Sequence, residues 1–321
     1  MANNTLTKVR KKPRIGAARI RESCELYVLL LIPLGLIFFM AYMPMPGIAI
    51  AFQDYSLGAD FFGENTKWVG FKHFEDFITG RLFGRLMGNT LRISIKSLIV
   101  TFPIPIAFAL LLNEIKHMKT KKVVQTISYL PHFISTVIVA GMVLGFIDKS
   151  SGLVNNIISL FGGEREMWIT KGYAFDTIYI STIVWVSFGF ESILYMSAIA
   201  GIDQEQYEAA RLDGASRWQQ MWYITLPGIV PTISICLIMA LGGILGANTD
   251  LILNLYHAGN AKVSEVIGVY VYRMGLGFDG ATTIPRYSAA AAIGLFTSVI
   301  NITMLFIANK FSNWLSGTGL W

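Results

Sequence analysis

Charged residues are scarce in this sequence. Asp, Glu, Lys and Arg make up 14% of its 321 positions, whereas about 25% is usual for soluble domains. Hydrophobic residues account for 54% of the chain, and the mean hydropathy is +0.54. A soluble core needs less apolar surface than this, so the composition predicts a polytopic membrane protein.

Cysteine is also rare, and familiar catalytic motifs are missing. Cys24 precedes the first apolar run and Cys236 lies deep inside a later one, so we do not expect a disulfide between them. The sequence contains no G-x-x-x-x-G-K-[ST] phosphate loop, no H-E-x-x-H motif and no G-x-S-x-G motif. The histidines are far apart in the chain: His73, His117, His132 and His257. We therefore predict no catalytic residue, no metal site and no cofactor bound by this chain.

The formal net charge of +6 could suggest a nucleic-acid partner, but its distribution argues against one. Basic residues cluster in the first 25 positions and in short loops, without interleaved aromatic residues. Basic residues placed in this way set the orientation of membrane proteins, because positively charged loops remain in the cytoplasm. We predict no nucleic-acid partner and a membrane orientation with both termini in the cytoplasm.

Six apolar runs are long enough to cross a bilayer, which requires about 20 residues in a helix. They are 26–52, 86–112, 123–147, 176–202, 226–247 and 288–308. The first run is too long for the apolar region of a signal peptide, so we interpret it as a retained span. The predicted organisation is a basic cytosolic tail (1–25), a first transmembrane helix with an external loop (26–85), a five-helix core (86–311) and a C-terminal tail (312–321).

Arg92 and Lys96 intrude on the second run. The long side chain of Lys96 could reach the membrane interface, or it could face a wet cavity and attract an anionic solute. In the external segment that follows the third run, residues 153–161 are typical of a short interfacial helix.

A polar stretch from Asp203 to Pro231 separates the fourth and fifth runs. Asp203 with Gln206, and Ser216 with Gln219, have the spacing of helix capping boxes. Gly214 lies between them and can adopt the left-handed conformation that ends a helix. The stretch therefore predicts two short helices joined by a bend, the second with an apolar stripe of Trp218, Met221 and Trp222.

This stretch resembles the "EAA" signature of the permeases of binding-protein-dependent ABC importers. The matching residues are Glu208, Ala209, Ala210, Asp213, Gly214, Ala215, Ile224, Leu226, Pro227 and Pro231. In that family the loop, here 203–225, forms a coupling helix that docks in a cleft of a cytoplasmic ATPase. The resemblance implies that Glu208, Ala209, Ala210, Asp213, Gly214 and Ala215 couple this chain to an ATPase.

Further segments resemble the carbohydrate-uptake permeases of this family, in particular the branch that imports complex oligosaccharides, several of which contain uronic acids. These segments are SYLPHFIS, GFESILYMSAIAGI, VIGVYVYRMGL and the terminal GTGLW. The resemblance covers about residues 25–321 and implies an all-α fold with six transmembrane helices, as in type I importers. It also implies a bacterial plasma-membrane location, a second homologous permease, two ATPase subunits that bind ATP and Mg²⁺, and an extracytoplasmic solute-binding protein.

Polar residues within the predicted spans are the candidates for the solute path. Glu191 lies in the middle of the fourth span, where a charge costs roughly 2.5–3.5 kcal/mol on insertion scales. Ser187, Glu191 and Tyr195 recur at helical spacing, and they either line the path or link this helix to a neighbour. Asn248 and Asp250, which interrupt the end of the fifth span, complete the set.

Other functions stay open at this stage. A permease for another polar solute, such as a glycerophosphate or a peptide, would share the same loop. A membrane-embedded enzyme would need to turn over a substrate without helper subunits. A channel or ion-coupled carrier would be expected to show paired intramembrane charges or a repeated half, and neither is evident in the sequence.

Overall fold

The computed structural model describes residues 17–317 and 319–320, except for 57, 59–60, 64–65 and 278–283. Its contacts divide the chain into two units, Met1–Ala49 and Ile50–Trp321. Residues 1–16 of the predicted basic tail lie outside the described part. The described residues are almost entirely helical and form no strand beyond an isolated bridge between Gln53 and Trp68.

The first candidate membrane span is Tyr27–Phe52. It begins in helix α1 (Ala17–Ile37) and continues through a π-helical turn at Phe38–Tyr42 and a 3₁₀ segment at Met45–Phe52. Pro33, Pro44 and Pro46 lie along this span, and proline weakens an α-helix because it has no backbone N–H to donate. The regular α-helical pattern therefore ends after Ile37, within a single candidate span.

The remaining helices belong to the second unit. The first half contains α2 (Lys72–Ile78), α3 (Phe83–Thr101), α4 (Pro103–Asn113), α5 (Met118–Tyr129), α6 (Thr136–Phe146), α7 (Leu153–Leu160) and α8 (Gly172–Ala200), with 3₁₀ turns at Leu130–Phe133 and Trp168–Thr170. The helices α3 and α4 together form one candidate span, Phe83–Asn113, and α8 forms another. Helix α7 matches the short helix predicted at 153–161.

The second half of this unit contains the predicted loop and the last two spans. Its helices are α9 (Gln204–Leu212), α10 (Arg217–Gln220), α11 (Leu226–Gly228), α12 (Val230–Gly242), α13 (Thr249–Leu255), α14 (Ala261–Ser264), α15 (Ile267–Leu276) and α16 (Tyr287–Ser316), with a π-helical turn at Met221–Thr225. Helix α16 packs along α12, and α8 packs along α4.

Two of the predicted spans are bent rather than straight. Met118–Phe133 and Thr136–Phe146 meet at 101°, and Arg217–Gly228 and Val230–Gly242 meet at 56°. With each bent pair counted as one span, the described residues contain six candidate spans, in agreement with the prediction. The sharper bend follows Pro131, where Ile134 and Ser135 take extended conformations before α6 begins.

Buried apolar side chains hold these helices together in three clusters. The first joins α8 to α13 and includes Phe175, Tyr179 and Ile252. The second joins α2 and α3 to α15 and α16. The third joins α4 and the inner half of α8 to the segment after α10, and contains Tyr195 and Met221. Helix α8, which precedes the polar loop, therefore also packs against the segment that follows α10.

Helices α5 and α8 approach each other closely at Gly189. A β-carbon added there would clash with the backbone carbonyl oxygen of Ser128, which cannot move as freely as the end of a side chain. The 3₁₀ turn that follows α5 continues across α8, where the rings of His132 and Phe190 stack with their centroids 3.8 Å apart. The absence of a side chain at Gly189 thus lets the bent third span lie against α8.

We expect Gly189→Ala to destabilise the protein by ~1–3 kcal/mol, the usual cost of overpacking a close contact. Thermal unfolding of the purified protein in detergent measures this loss. Gly141→Ala is the matched control, because a β-carbon at Gly141 meets nothing within 4 Å and alanine favours a helix more than glycine does. Equal unfolding temperatures for the two variants would contradict the proposed close approach.

Candidate functional site

A cavity of about 440 Å³ lies among the helices of the second unit, within the size range of small-molecule sites. Helices α3, α6 and α8, the 3₁₀ turn before α6, and the segment from the end of α12 to α13 form its walls. Three of the five predicted solute-path residues, Ser187, Glu191 and Asn248, line this cavity. The structure therefore brings together residues that are more than 50 positions apart in the sequence.

Hydroxyl groups dominate the polar part of the lining. They belong to Ser94, Ser97, Thr101, Thr136, Tyr179, Thr182 and Ser187. The Oγ atoms of Ser94 and Ser187 are buried and have no hydrogen-bond partner among the described residues. A buried hydroxyl without a partner is costly, so these two groups favour a polar ligand or water in the cavity.

The sequence prediction missed most of these hydroxyl residues. Ser94, Ser97 and Thr101 share one face of α3 at helical spacing, which was a usable signal. Arg92 and Lys96 lie in the same helix, and the interpretation of this helix rested on these charged residues instead of on the hydroxyl pattern. His132 lines the cavity as well.

Asn248 has structural partners as well as a place in the cavity. Its backbone N–H donates to Tyr179 Oη at 3.0 Å, and its side-chain Oδ1 caps α13 by accepting from the N–H of Leu251 at 3.0 Å. These bonds fix the backbone where the fifth span ends. Asn248 remains exposed to the cavity.

Tyr195 and Asp250 do not line the cavity. Tyr195 is 5% exposed and lies in the apolar cluster with Ile199, Met221 and Ile229. Asp250 is exposed in the first turn of α13. The geometry of this chain supports Ser187, Glu191 and Asn248 as solute contacts more directly than it supports these two.

The basic residues of α3 have carboxylate partners that the sequence did not suggest. Asp176 Oδ2 lies 2.7 Å from Lys96 Nζ and 3.2 Å from Arg92 Nε. Arg92 also donates from Nη2 to the carbonyl oxygen of Val263 at 2.6 Å. Lys96 and Arg92 therefore form a charge cluster with the first turns of α8.

A second ion-pair cluster lies at the start of α3. Glu265 pairs with Arg85 at 2.6 Å and with Arg273 at 3.3 Å, and its side chain is 12% exposed. Arg273 also donates to Tyr256 Oη at 2.8 Å and places its guanidinium over the same ring. These pairs hold the long segment between α12 and α16 against α3.

The polar loop has the bent, two-helix form that its sequence predicts. Asp203 caps α9 by accepting from the N–H of Glu205 at 3.0 Å, rather than from that of Gln206. Gly214 has φ = +78°, in the left-handed region, and follows the end of α9. Ser216 and Gln219 form a complete capping box at the start of α10. The predicted apolar stripe is divided, since Met221 is buried while Trp218 and Trp222 are exposed.

The predicted coupling residues lie together on this loop. Glu208, Ala209, Asp213 and Gly214 are exposed, whereas Ala210 and Ala215 are half-buried. The N–H of Ala215 donates to the carbonyl oxygen of Ala210 at 2.8 Å across the bend. The exposed members form a surface that another protein could contact.

Hydrogen bonds hold the loop together and connect it to the turn after α4. Tyr207 Oη and Thr225 Oγ1 lie 2.9 Å apart in a buried contact, and Gln220 Nε2 donates to the carbonyl oxygen of Ala215 at 2.9 Å. Arg217 donates to the carbonyl oxygen of Glu114 at 3.2 Å, in the turn after α4. The two short helices of the loop are therefore fixed relative to each other and to the turn after α4.

Residues 77–317 match the family model described as "Binding-protein-dependent transport system inner membrane component". Among curated relatives, Protein LplB of Bacillus subtilis is 38% identical over 94% of this chain and 93% of its own length. The polygalacturonan/rhamnogalacturonan transport system permease protein YteP of the same organism is 36% identical over 97% and 95%.

Solved structures are also similar to this chain. A chain of a bacterial ABC transporter involved in the import of the acidic polysaccharide alginate is 40% identical, with a TM-score of 0.80 over 93% of this chain and 98% of that one. A chain of a bacterial alginate ABC transporter, in complex with a periplasmic protein bound to an alginate pentasaccharide, is 39% identical, with a TM-score of 0.81 over 96% and 100%.

We expect Gly214→Leu to abolish solute-stimulated ATP hydrolysis in a complete transporter while leaving membrane insertion intact. Leucine is strained at φ = +78°, so the bend between α9 and α10 would change. Gly214→Asn is the control, because asparagine tolerates the left-handed region and should retain most of the stimulation. Normal stimulation in the leucine variant would show that the bend is not needed for coupling.

Proposed function

We propose that this chain, which belongs to the family of binding-protein-dependent transport system inner membrane components, carries an oligosaccharide. Members of this family are transport subunits of ABC importers rather than enzymes. It would form one half of the membrane pathway, and a second homologous permease would form the other. Two ATPase subunits and an extracytoplasmic solute-binding protein would complete the importer.

The cavity of this chain supports a saccharide as the solute. Its lining combines many hydroxyl groups with apolar surface, and two of the hydroxyls lack a partner. Sugars present hydroxyl groups that both donate and accept hydrogen bonds, and their C–H faces pack on apolar and aromatic side chains. Ser187, Glu191 and Asn248 would contact the solute directly, with Tyr195 and Asp250 in supporting positions.

The names of similar proteins support an oligosaccharide that contains uronic acid units. YteP is described as a polygalacturonan/rhamnogalacturonan permease, and the structural neighbours come from alginate importers. Polygalacturonan and alginate are built from uronic acids. A permease for a glycerophosphate or a peptide remains the competing proposal, and the transport test below separates it from a saccharide permease.

The polar loop would transmit the work of ATP hydrolysis. ATP and Mg²⁺ would bind in the separate ATPase, whose cleft would receive Glu208, Ala209, Ala210, Asp213, Gly214 and Ala215. Because Tyr207 bonds to Thr225 and the loop joins α8 to α11 and α12, displacement of α9 would shift α8 and α12, two of the helices that border the cavity. ATP binding would thereby bias the permease pair between inward-open and outward-open states.

We further propose a bacterial plasma-membrane location with both termini in the cytoplasm. In this arrangement residues 1–25 form a basic tail, 26–85 the first transmembrane helix and an external loop, 86–311 the core with its coupling loop at 203–225, and 312–321 a C-terminal tail. The basic N-terminal segment supports this orientation, because positively charged segments remain on the cytoplasmic side.

Transport by the complete importer in proteoliposomes tests this function. We expect uptake of a labelled uronate-containing oligosaccharide that requires both ATP inside the vesicles and the solute-binding protein outside. Uptake of a glycerophosphate or a peptide instead, under the same conditions, would contradict the proposed solute class. Vesicles that contain this chain alone serve as the control and should show no uptake.

A further inference from the structure

The charged residues that line the cavity indicate which part of a saccharide this cavity contacts. Among the described residues of the lining there is no Lys or Arg, while Glu191 contributes a carboxyl group. The other polar lining groups are hydroxyls, the imidazole of His132 and the amide of Asn248. An anionic sugar unit would find hydrogen-bond donors here but no strong fixed positive charge.

The basic residues nearest to the cavity face away from it. Arg85, Asn89, Arg92 and Lys96 cover one face of α3, whereas Ser94, Ser97, Leu98 and Thr101 cover the opposite face, since these sets lie about 160° apart at 100° per residue. Only the second set lines the cavity. A single helix therefore separates the positive charges from the solute path.

The positive charges of α3 also have carboxylate partners, although each carboxylate is shared between two cations. Asp176 accepts both Arg92 and Lys96, and Glu265 accepts Arg85 and Arg273. Asp176 and Glu265 are mostly buried, with side-chain exposures of 14% and 12%. Removing one partner of a buried ion pair is destabilising, because the other charge is left without compensation. These cations of α3 are thus held by contacts on the face of α3 that does not line the cavity.

On the premise that this chain carries an oligosaccharide, we propose that its cavity contacts neutral hydroxyl faces of the sugar units and that Glu191 disfavours a carboxylate there. Like charges brought close together in a poorly solvated site repel strongly. Any uronate groups of the solute would then point away from Glu191. Glu191 is then a specificity-determining residue for the orientation of the sugar chain.

His132 is the lining residue that could weaken this selectivity, since a protonated imidazole is positive. Its ring stacks face to face on Phe190, with an interplanar angle of 4°. Stacking fixes the position of the ring, and the ring nitrogens take no part in that contact. The experiment therefore includes a variant of His132 as well as variants of Glu191.

The test compares uptake of two oligosaccharides of equal length, one neutral and one with uronate units, by the complete importer in proteoliposomes. Each is presented as a saturating concentration of preloaded solute-binding protein, and the result is the ratio of acidic to neutral uptake rates. All permease variants receive solute from the same loaded solute-binding protein. The preference of that protein for one oligosaccharide therefore affects every variant equally and does not change the comparison between variants. We expect Glu191→Gln to raise this ratio by about tenfold relative to the wild type, as removal of one close like-charge contact should.

Glu191→Asp is the matched control, because it retains the carboxyl group and should keep the wild-type ratio within about twofold. We expect His132→Gln to leave the ratio similarly unchanged. An unchanged or lowered ratio in Glu191→Gln, loss of uptake of both solutes in that variant, or a fall in the ratio in His132→Gln would each overturn the proposal. If the wild-type importer takes up neither saccharide, the proposed function itself is wrong, which is a distinguishable result.

Discussion

A polar group inside a bilayer has no water to bind, so it must find a partner within the protein or line a wet cavity. The spans of this chain show both solutions. Thr90 and Thr182 donate their hydroxyls to carbonyl oxygens one turn earlier in their own helices, at 2.7 Å each. Arg92 and Lys96 share the carboxylate of Asp176. Ser94 and Ser187 lack a partner among the described residues, and both line the cavity.

The same constraint explains why different parts of α8 make different kinds of contact. Its first turns carry Asp176, which anchors α3, and its middle carries Ser187 and Glu191, which border the cavity. Its last turns pack in an apolar cluster with the segment after α10, and the polar loop follows directly. One helix therefore connects the ion pairs, the cavity and the loop, so the state of the loop and the shape of the cavity are physically linked.

The sequence predicted best what depends on neighbouring residues. The loop could be derived from Asp203, Gly214 and Ser216 because caps and left-handed glycines act within a few positions. The resemblance to importer permeases correctly indicated the family. The close approach of α5 to α8 at Gly189 could not be derived in this way, because no local pattern shows which helices pack together.

Long-range contacts could not be predicted in this way. The ion pair between Lys96 and Asp176 joins residues 80 positions apart, and no local pattern connects them. The stripe of Ser187, Glu191 and Tyr195 illustrates a second difficulty. Because a helix advances 100° per residue, eight positions rotate a side chain by about 80° from its starting face. Tyr195 thus turns from the cavity into the apolar cluster with Met221.

The most direct test of this account is the side of the membrane on which the bent loop lies. A single cysteine at Ser216, in a chain with Cys24 and Cys236 replaced by serine and alanine, can be labelled with a membrane-impermeant thiol reagent. A cysteine at Lys149, in the segment between α6 and α7, provides the reference for the opposite side. We predict that intact cells label position 149 but not 216, and that inside-out vesicles label 216 but not 149. Labelling of position 216 in intact cells would contradict the account, because a cytoplasmic ATPase could not reach the loop.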